Sequence, residues 1–434
     1  MDSTLADDVR WAVYFQQSST DQRSIEERAA SSRSPSPTRR FPEFRFDEKV
    51  TGASVSAARD VRKGRTMHRL LYGLQLDRRA VNESRDNLLV NLDTGAATKI
   101  VLGETFPVRD FPVTQITEAA VFLHDEITPG EGRFTLIPGL RAEYYRLDPQ
   151  PDSVYTEDNP SSGVVSISEV SLAPKLGAVI QLNESTSLFA QYARGFRSPP
   201  FEDANIGLEV PLFNVRAIAN PDLKPETSDG VEIGLRVVSG RWRGSLSAYQ
   251  NRYKNFIDSK VNLGPDPQTG VLIFQSLNRD RATIRGIEGE FEFDLGSRVQ
   301  GLAIMGSLAD TRGEDSIRKL PLNTVDPLRA TLGMRYDEPG QRWGTELVAR
   351  FAAAKTRVDD SSAALFRPPG YGLVDLLAYY RPGESSRINF ALLNLGNKRY
   401  WDWADVRGRP AGDPLIDFYT RPGFNIAASF ALSW

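Results

Sequence analysis

Strict alternation of apolar and polar residues is the dominant pattern of the chain from about residue 114 onward. In the last segment Phe424, Ile426, Phe430 and Leu432 fall on one set of alternate positions, and small or polar residues fill the other. Similar segments cover 172–182, 287–295, 328–336 and 343–351. Because successive side chains of a strand point to opposite faces, this period of two predicts an all-β fold whose sheet has one apolar and one polar surface.

Segment length and the placement of charge decide between two kinds of sheet. A soluble antiparallel sandwich also alternates, but these segments run to about 10–14 residues, longer than the usual ~5–6 of soluble sheets. The polar face carries charges in succession, as at Glu288, Glu290 and Glu292. Aromatic residues gather at segment ends: Trp11, Tyr144, Tyr145, Trp242, Tyr249, Tyr336, Trp343, Tyr379 and Tyr380. These features favour a transmembrane antiparallel β-barrel with an aromatic girdle.

Interruptions of the pattern are of two lengths. Short ones, at 183–185, 238–240 and 338–340, suit tight turns. Long polar ones cover 150–167, 200–225, 262–277, 312–325, 356–370 and 403–422. Short turns on one side of the membrane and long loops on the other are typical of such barrels. The sequence predicts about 16 strands, weakly marked before residue 100, with a flexible loop over 29–40. The domains expected are 1–113, weakly marked barrel strands and loops, and 114–434, the C-terminal part of the barrel.

Composition excludes several classes of protein. The 434 residues include 53 basic and 56 acidic side chains, a net charge of −3, two histidines and no cysteine. A cysteine-based zinc site, an iron–sulfur cluster and a thiol nucleophile are therefore excluded, and near-neutral charge argues against a nucleic-acid partner. No segment approaches the roughly 18–20 apolar residues of a membrane helix. The first residues lack the basic and apolar regions of a signal peptide.

An enzymatic function has little support in the sequence. The only constellation near a histidine is His124 with Asp125 and Glu126. Adjacent strand residues face opposite sides, so Glu126 rather than Asp125 is expected to orient His124. Neither a G-x-S-x-G elbow nor an H-E-x-x-H motif occurs. The sequence thus predicts no catalytic residues and no enzyme, although an outer-membrane hydrolase and a passive porin remain alternatives.

Two motifs carry a family resemblance. Residues 196–201 (FRSPPF) resemble the FRAP box, and residues 220–228 (NPDLKPETS) are close to the NPxL box. With further matches downstream, the stretch 114–434 resembles the barrels of TonB-dependent outer-membrane receptors. Residues 400–408 (YWDWADVRG) are similar to the haemoglobin/haem-receptor branch. The family motif residues are Phe196, Arg197, Pro199, Asn220, Pro221 and Leu223, and an ending at Phe430 and Trp434 resembles the membrane-insertion signal of outer-membrane barrels.

The resemblance implies a fold, a location and a set of partners. It implies a Gram-negative outer-membrane receptor for haem or haemoglobin iron uptake, or alternatively a ferric-siderophore receptor. Family barrels are the plugged, roughly 22-stranded type, so the absence of a plug counterpart predicts a truncated form. Expected partners are haemoglobin, haem or a siderophore as ligand, and outer-membrane lipid; the TonB energy complex is a partner only if a plug is present. Haem is expected as transported ligand, with no permanently bound cofactor.

Candidate ligand contacts lie on the long loops. They combine charge with aromatic anchors, as binding hot spots do, and are Arg197, Glu202, Asp203, Asn205, Glu209, Arg216, Trp401, Trp403, Asp405 and Arg407. For the two tryptophans a membrane-interface girdle is the alternative. For the two boxes the alternative is rim architecture, since their prolines end the strand ladder. The interval 201–219 contains no His, Tyr or Met that would hold haem iron. His68 and His124 are expected to be non-ligands, and no metal site is predicted.

Overall fold

The computed structural model describes residues 5–31, 35–160, 163–296, 299–361 and 363–433. Within them strands are the predominant element, with three short helices and two 3-10 turns, at Pro211–Phe213 and Ile416–Tyr419. The strands are β1 (Asp8–Arg23), β2 (Glu26–Arg28), β3 (Thr38–Arg40), β4 (Glu43–Lys63), β5 (Thr66–Asp86), β6 (Leu89–Asn91), β7 (Ala97–Thr98), β8 (Ile100–Val101), β9 (Glu104–Thr105), β10 (Val113–Pro129), β11 (Phe134–Gln150), β12 (Ile167–Asn183), β13 (Thr186–Arg197), β14 (Leu208–Val210), β15 (Val215–Ile218), β16 (Glu226–Val238), β17 (Trp242–Pro265), β18 (Leu272–Asp294), β19 (Leu302–Asp315), β20 (Arg329–Asp337), β21 (Trp343–Ala352), β22 (Tyr371–Gly383), β23 (Ser386–Leu393) and β24 (Asn425–Leu432). The helices are α1 (Ser153–Asp158), α2 (Phe201–Ala204) and α3 (Trp403–Val406).

Sixteen of these strands are long and form one antiparallel wall. Their registers run in the order β1, β4, β5, β10, β11, β12, β13, β16 and then β17 through β24. Each long strand therefore pairs with the next long strand along the chain. Between the described residues of β1 and β24 there is no ladder, and all sixteen residues of β1 are exposed. The prediction of about 16 strands is confirmed, and three of them, β1, β4 and β5, lie in the weakly marked region before residue 100.

The two faces of the wall have opposite chemistry. Large apolar side chains such as Leu246, Ile287 and Phe430 are exposed on what we call the outer face. On the inner face Glu292 pairs with Arg243 at 3.0 Å and Arg335 at 2.9 Å. Apolar side chains outside and ion pairs inside are the arrangement of a wall that faces lipid. None of the helices in the described ranges is long and apolar enough to cross a membrane.

Connections of the wall differ in length at its two ends. Tight turns join β4 to β5, β10 to β11 and β12 to β13 at one end, and long segments join the strands at the other. We call these the turn end and the loop end. The predicted loop 262–277 is wrong in its bounds, because β17 continues to Pro265 and β18 begins at Leu272. Above the membrane a strand needs no apolar face, so a polar composition there does not indicate a loop.

The predicted flexible loop over 29–40 is also wrong in part. Residues 38–40 form β3, which pairs with β2 and β6. The Arg40 side chain is buried and bonds the Glu26 carboxylate, which orders the segment despite its composition. Residues 32–34 lie outside the described part of the chain.

Conventional hydrophobic cores occur at the loop end. One cluster includes Ile116, Tyr145, Leu147, Ile167 and Leu223. A second comprises Val101, Phe106 and Val108, and a third is built on Val358, Trp403 and Val406. These clusters bury apolar residues of the loops, such as Leu223 and Trp403, and the first of them packs loop residues against inward-facing apolar side chains at the strand ends, such as Leu147.

Candidate ligand-binding surface

The FRAP-like and NPxL-like segments anchor the loop between them to the inner face of the wall. Pro199 is fully buried, and the Tyr145 hydroxyl donates to its carbonyl at 3.3 Å. The side-chain amide of Asn220 donates to the Ser276 carbonyl at 2.7 Å. Leu223 packs in the first hydrophobic cluster, with Phe201 against it. These contacts fix both ends of the loop. They agree with the alternative given above for the two boxes, which is a role in the architecture of the rim.

Other motif residues continue this anchoring. Arg197 is exposed and pairs with Glu226 at 3.3 Å. The buried Glu226 carboxylate also accepts from the backbone N–H of Ile257 at 2.8 Å. Phe196 is half-buried and Pro221 is exposed. Arg197 therefore lies at the rim, and its charge is balanced by Glu226, the first residue of β16.

Helix α2 carries the predicted contact residues Glu202 and Asp203, and a third, Asn205, caps its C-terminal end. The Ser276 hydroxyl donates to the buried Asp203 carboxylate at 2.7 Å. The fully buried Asn205 side chain accepts from the backbone N–H of Val165 at 2.6 Å and donates to its carbonyl at 3.0 Å. Glu202 is exposed. Asp203 and Asn205 therefore hold α2 in place, while the Glu202 side chain faces solvent.

Glu209 and Arg216 face each other across the hairpin of β14 and β15, with a shortest N–O distance of 2.6 Å. Both line a cavity of about 500 Å³ whose wall also includes Asn159, Val165 and Pro221. The hairpin is attached to the wall through β15, which pairs in parallel with β18. Two of the predicted contact residues are thus brought together in one recess at the loop end.

Trp401 and Trp403 belong to the third hydrophobic cluster. The Trp403 side chain is 2% exposed, and its indole N–H donates to the Asn323 carbonyl at 2.7 Å. The Lys355 ammonium lies 4.9 Å from its ring centroid. Trp401 is half-buried and donates to the Ile416 carbonyl at 2.9 Å. An interfacial girdle role is wrong for Trp403, because a girdle side chain has to reach the lipid and this one is enclosed by loops.

Asp405 and Arg407 lie on and just after α3. Asp405 pairs with Arg421 at 2.7 Å, and Arg421 also reaches Asp402 at 3.3 Å. Arg407 is exposed. Of the predicted contacts in this loop, Arg407 is the one that presents its charge to solvent.

A half-buried polar cluster around the buried Glu104 joins three segments at the loop end, and sequence reasoning missed it. Arg85 pairs with Glu104 and with Asp110, both at 2.7 Å, and Arg109 pairs with Asp152 at 2.9 Å. Burial raises the pKa of Asp110, and burial with the nearby Glu104 carboxylate raises that of Asp158 to about 6. The partners are 19 to 43 residues apart, so neither motif nor periodicity signals them.

The two histidines lie on the wall near the turn end. His124 Nε2 is 3.4 Å from Glu126 Oε1, and His68 Nδ1 is 2.8 Å from Asp125 Oδ2. The expectation that Glu126 and not Asp125 shares a face with His124 is confirmed. The His68–Asp125 pair was not predicted. Among the described residues no group of three or more histidine or carboxylate side chains is arranged to hold a metal ion.

The C-terminal strand presents Phe430 on the outer face, where it is exposed. Trp434 lies outside the described residues. The role of both residues as a membrane-insertion signal stays a prediction.

A long antiparallel wall with an apolar outer face, short turns at one end and structured loops at the other defines the class of outer-membrane β-barrel proteins. The family model described as TonB dependent receptor-like, beta-barrel matches residues 2–395. The chain belongs to this family, whose members are Gram-negative outer-membrane proteins.

Two curated relatives carry names that refer to haemoglobin. The chain is 27% identical over 276 residues to a probable hemoglobin and hemoglobin-haptoglobin-binding protein 4 of Haemophilus influenzae, which covers 58% of this chain and 27% of that protein. It is 28% identical over 253 residues to the hemoglobin-haptoglobin utilization protein B of Neisseria meningitidis serogroup C, covering 51% and 30%. The matched segments thus span less than a third of either relative.

Solved structures support the same fold. The copper transporter OprC superposes with a TM-score of 0.75 at 18% identity, over 100% of this chain and 63% of that one. At this identity the likeness concerns the fold alone. The two relatives are named as binding and utilization proteins, and the superposed structure is named as a transporter.

Proposed function

We propose that this chain is the ligand-capturing wall of an outer-membrane receptor that takes up haem iron from haemoglobin-type proteins. The observation that carries the proposal is the alignment of more than half of the chain with haemoglobin-binding relatives. The loop end supports it, because its hydrophobic clusters give the loops a fixed shape before any ligand arrives. A pre-organised surface loses less conformational entropy on binding.

In this proposal haem is cargo, and the chain contributes contacts to the protein that carries it. His68 and His124 lie near the turn end, far along the strands from the loops. The interval 201–219 offers no His, Tyr or Met, the usual ligands of haem iron apart from Cys. Exposed groups of the loop end, among them Glu202 and Arg407, are the proposed contacts.

Uptake belongs to a larger assembly in this proposal. In the described residues β1 and β24 form no ladder with each other, and unpaired backbone groups in lipid cost several kcal/mol each. Further strands would complete the barrel of which 1–113 and 114–434 are proposed parts. Coupling to the TonB energy complex would require a plug inside it.

Co-sedimentation of the refolded 434-residue chain with three ligands tests the proposal. We expect haemoglobin to bind more tightly than haem or ferric siderophores. Binding of siderophores alone would reassign the receptor to the siderophore branch. Ion conductance without binding of any ligand would instead make it a passive porin.

A charge reversal at each end of the wall sharpens this test. Arg407→Glu changes an exposed arginine of the loop end, whereas Arg133→Glu changes an exposed arginine of the turn end. We expect the first variant to weaken haemoglobin binding several-fold and the second to leave it unchanged. Equal effects would contradict capture at the loop end.

A further inference from the structure

The 3-10 turn Pro211–Phe213, at the tip of the β14–β15 hairpin, presents two large apolar side chains to solvent. Leu212 is 60% exposed and Phe213 is 61% exposed. They are neighbours on the cavity-lining hairpin that also carries Glu209 and Arg216. When a partner covers an exposed apolar pair, apolar surface is removed from water, and this makes a favourable contribution to the free energy of binding.

The tip is held rigidly from two sides. The backbone N–H of Leu212 donates to the Leu102 carbonyl at 3.1 Å. Next to it, Pro211 packs so tightly on Gly103 that a Cβ there would lie 2.9 Å from the Pro211 Cβ. On the other side Asn214 adopts a left-handed backbone with φ of 54°. Its side-chain amide donates to the Gly270 carbonyl at 2.7 Å, and its own carbonyl accepts from Leu272 at 2.8 Å.

Lipid does not cover this tip. On the outer face of β18 the apolar positions Phe291 and Ile287 are followed by the exposed Arg285 and Arg281, which end the apolar band. Leu272, which bonds Asn214 beside the tip, lies at the far end of the same strand. At about 3.3 Å per residue, the strand from Arg285 to Leu272 measures roughly 40 Å. The tip therefore stands in the aqueous phase outside the membrane.

We propose that Leu212 and Phe213 dock the haem-carrying protein by inserting into an apolar depression on its surface; this inference rests on the proposed function above. A pre-ordered aromatic and aliphatic pair is the kind of anchor that dominates protein–protein binding. Free haem is too small to need a contact on the outermost turn of a hairpin. The tip thus sets affinity for the protein-bound form of the cargo and leaves affinity for free haem unchanged.

The test uses cells that display the 434-residue chain, with haemoglobin and haemin as probes. The double variant Leu212→Ser/Phe213→Ser is compared with Leu415→Ser/Phe418→Ser. The second pair is a matched control, because it is also a leucine and a phenylalanine, 52% and 85% exposed, on a different loop. Gel mobility of unheated samples checks that each variant is folded.

We expect the tip variant to lose at least tenfold in haemoglobin affinity while haemin binding stays the same, and the control, whose loop also carries the proposed contact Arg407, to lose far less. Phe213→Leu, which keeps an apolar side chain, should retain most of the affinity. If the unaltered chain and the tip variant bind haemoglobin equally, the docking contact is wrong and the proposed function stands. If the unaltered chain binds no haemoglobin, both fail.

Discussion

The wall and the loop end of this molecule use apolar side chains in opposite ways. On the wall, Leu246 and Ile287 point away from the protein and are about half exposed. At the loop end, Trp403 and Leu147 point inward and are buried as in a water-soluble domain. Apolar residues therefore mark a lipid-facing surface on the wall and a hydrophobic core at the loop end. What distinguishes the two is the solvent outside, which is hydrocarbon for the wall and water for the loops.

Removing a buried side chain from the loop end is expected to have the largest effect. Trp403→Ala should destabilise the packing of its loop cluster by about 3–5 kcal/mol, the usual cost of truncating a buried aromatic. Hydrogen exchange of 316–328 and 353–370 measures this local loss. Phe418→Ala, at an 85% exposed side chain in the same loop, should change protection by less than about 0.5 kcal/mol. Equal changes would mean that the cluster is not a core.

Placing a charge on the wall separates its two faces. Leu246→Arg introduces a cation in the middle of the outer apolar band and should cost about 2–4 kcal/mol in bilayers. Ser247→Arg puts the same side chain on the inner face, opposite Glu288, and should cost much less. Urea unfolding of the chain from lipid vesicles measures both. A larger penalty at residue 247 would reverse the assignment of faces.

An inner-face contact tests packing without changing charge. Tyr379 lies across Gly344, where an added Cβ would overlap its ring, and its hydroxyl donates to Asp337 at 2.9 Å. Gly344→Val should therefore destabilise the wall by about 1–3 kcal/mol through overpacking. Gly240→Val, at a turn glycine with open space around it, is the control. The melting temperature in detergent compares the two, and an unchanged value for Gly344→Val would contradict the contact.

The smallest expected effect concerns pH at the loop end. Folding raises the pKa of Asp158 to about 6 from 3.8, because the group is partly buried and near Glu104. A raised carboxyl pKa favours the folded loop when protonated, so stability should rise as pH falls through 6 and level off below about 4. Proteolysis of 151–160 between pH 7.5 and 4 should slow accordingly. Asp158→Asn should slow proteolysis of the loop at pH 7.5 and make its rate less dependent on pH. If the variant shows the same pH profile as the unaltered chain, Asp158 is not the group responsible.

Period-two alternation was enough to predict the wall, including its outer face at Ile426 and Phe430. It worked because lipid on one side and water on the other impose a strict pattern on each strand. The alternation did not predict strands within 262–277. There β17 and β18 extend beyond the membrane, and lipid no longer imposes an apolar face on them. For the loop end, motifs located the segments but could not say that Asp203 and Asn205 would turn inward. Their partners, Ser276 and Val165, are far away in sequence, so only the folded chain reveals them.

Pairing of each long strand with its sequence neighbour has a kinetic consequence. Each strand of the wall can pair with the long strand that precedes it in sequence. The wall can therefore form one hairpin at a time, with each new edge strand serving as the template for the next. The loop clusters, in contrast, gather segments from several hairpins, as Trp403 and Asn323 do. Assembly should therefore proceed in two stages, with rapid zippering of strands followed by slower settling of the surface that meets the ligand.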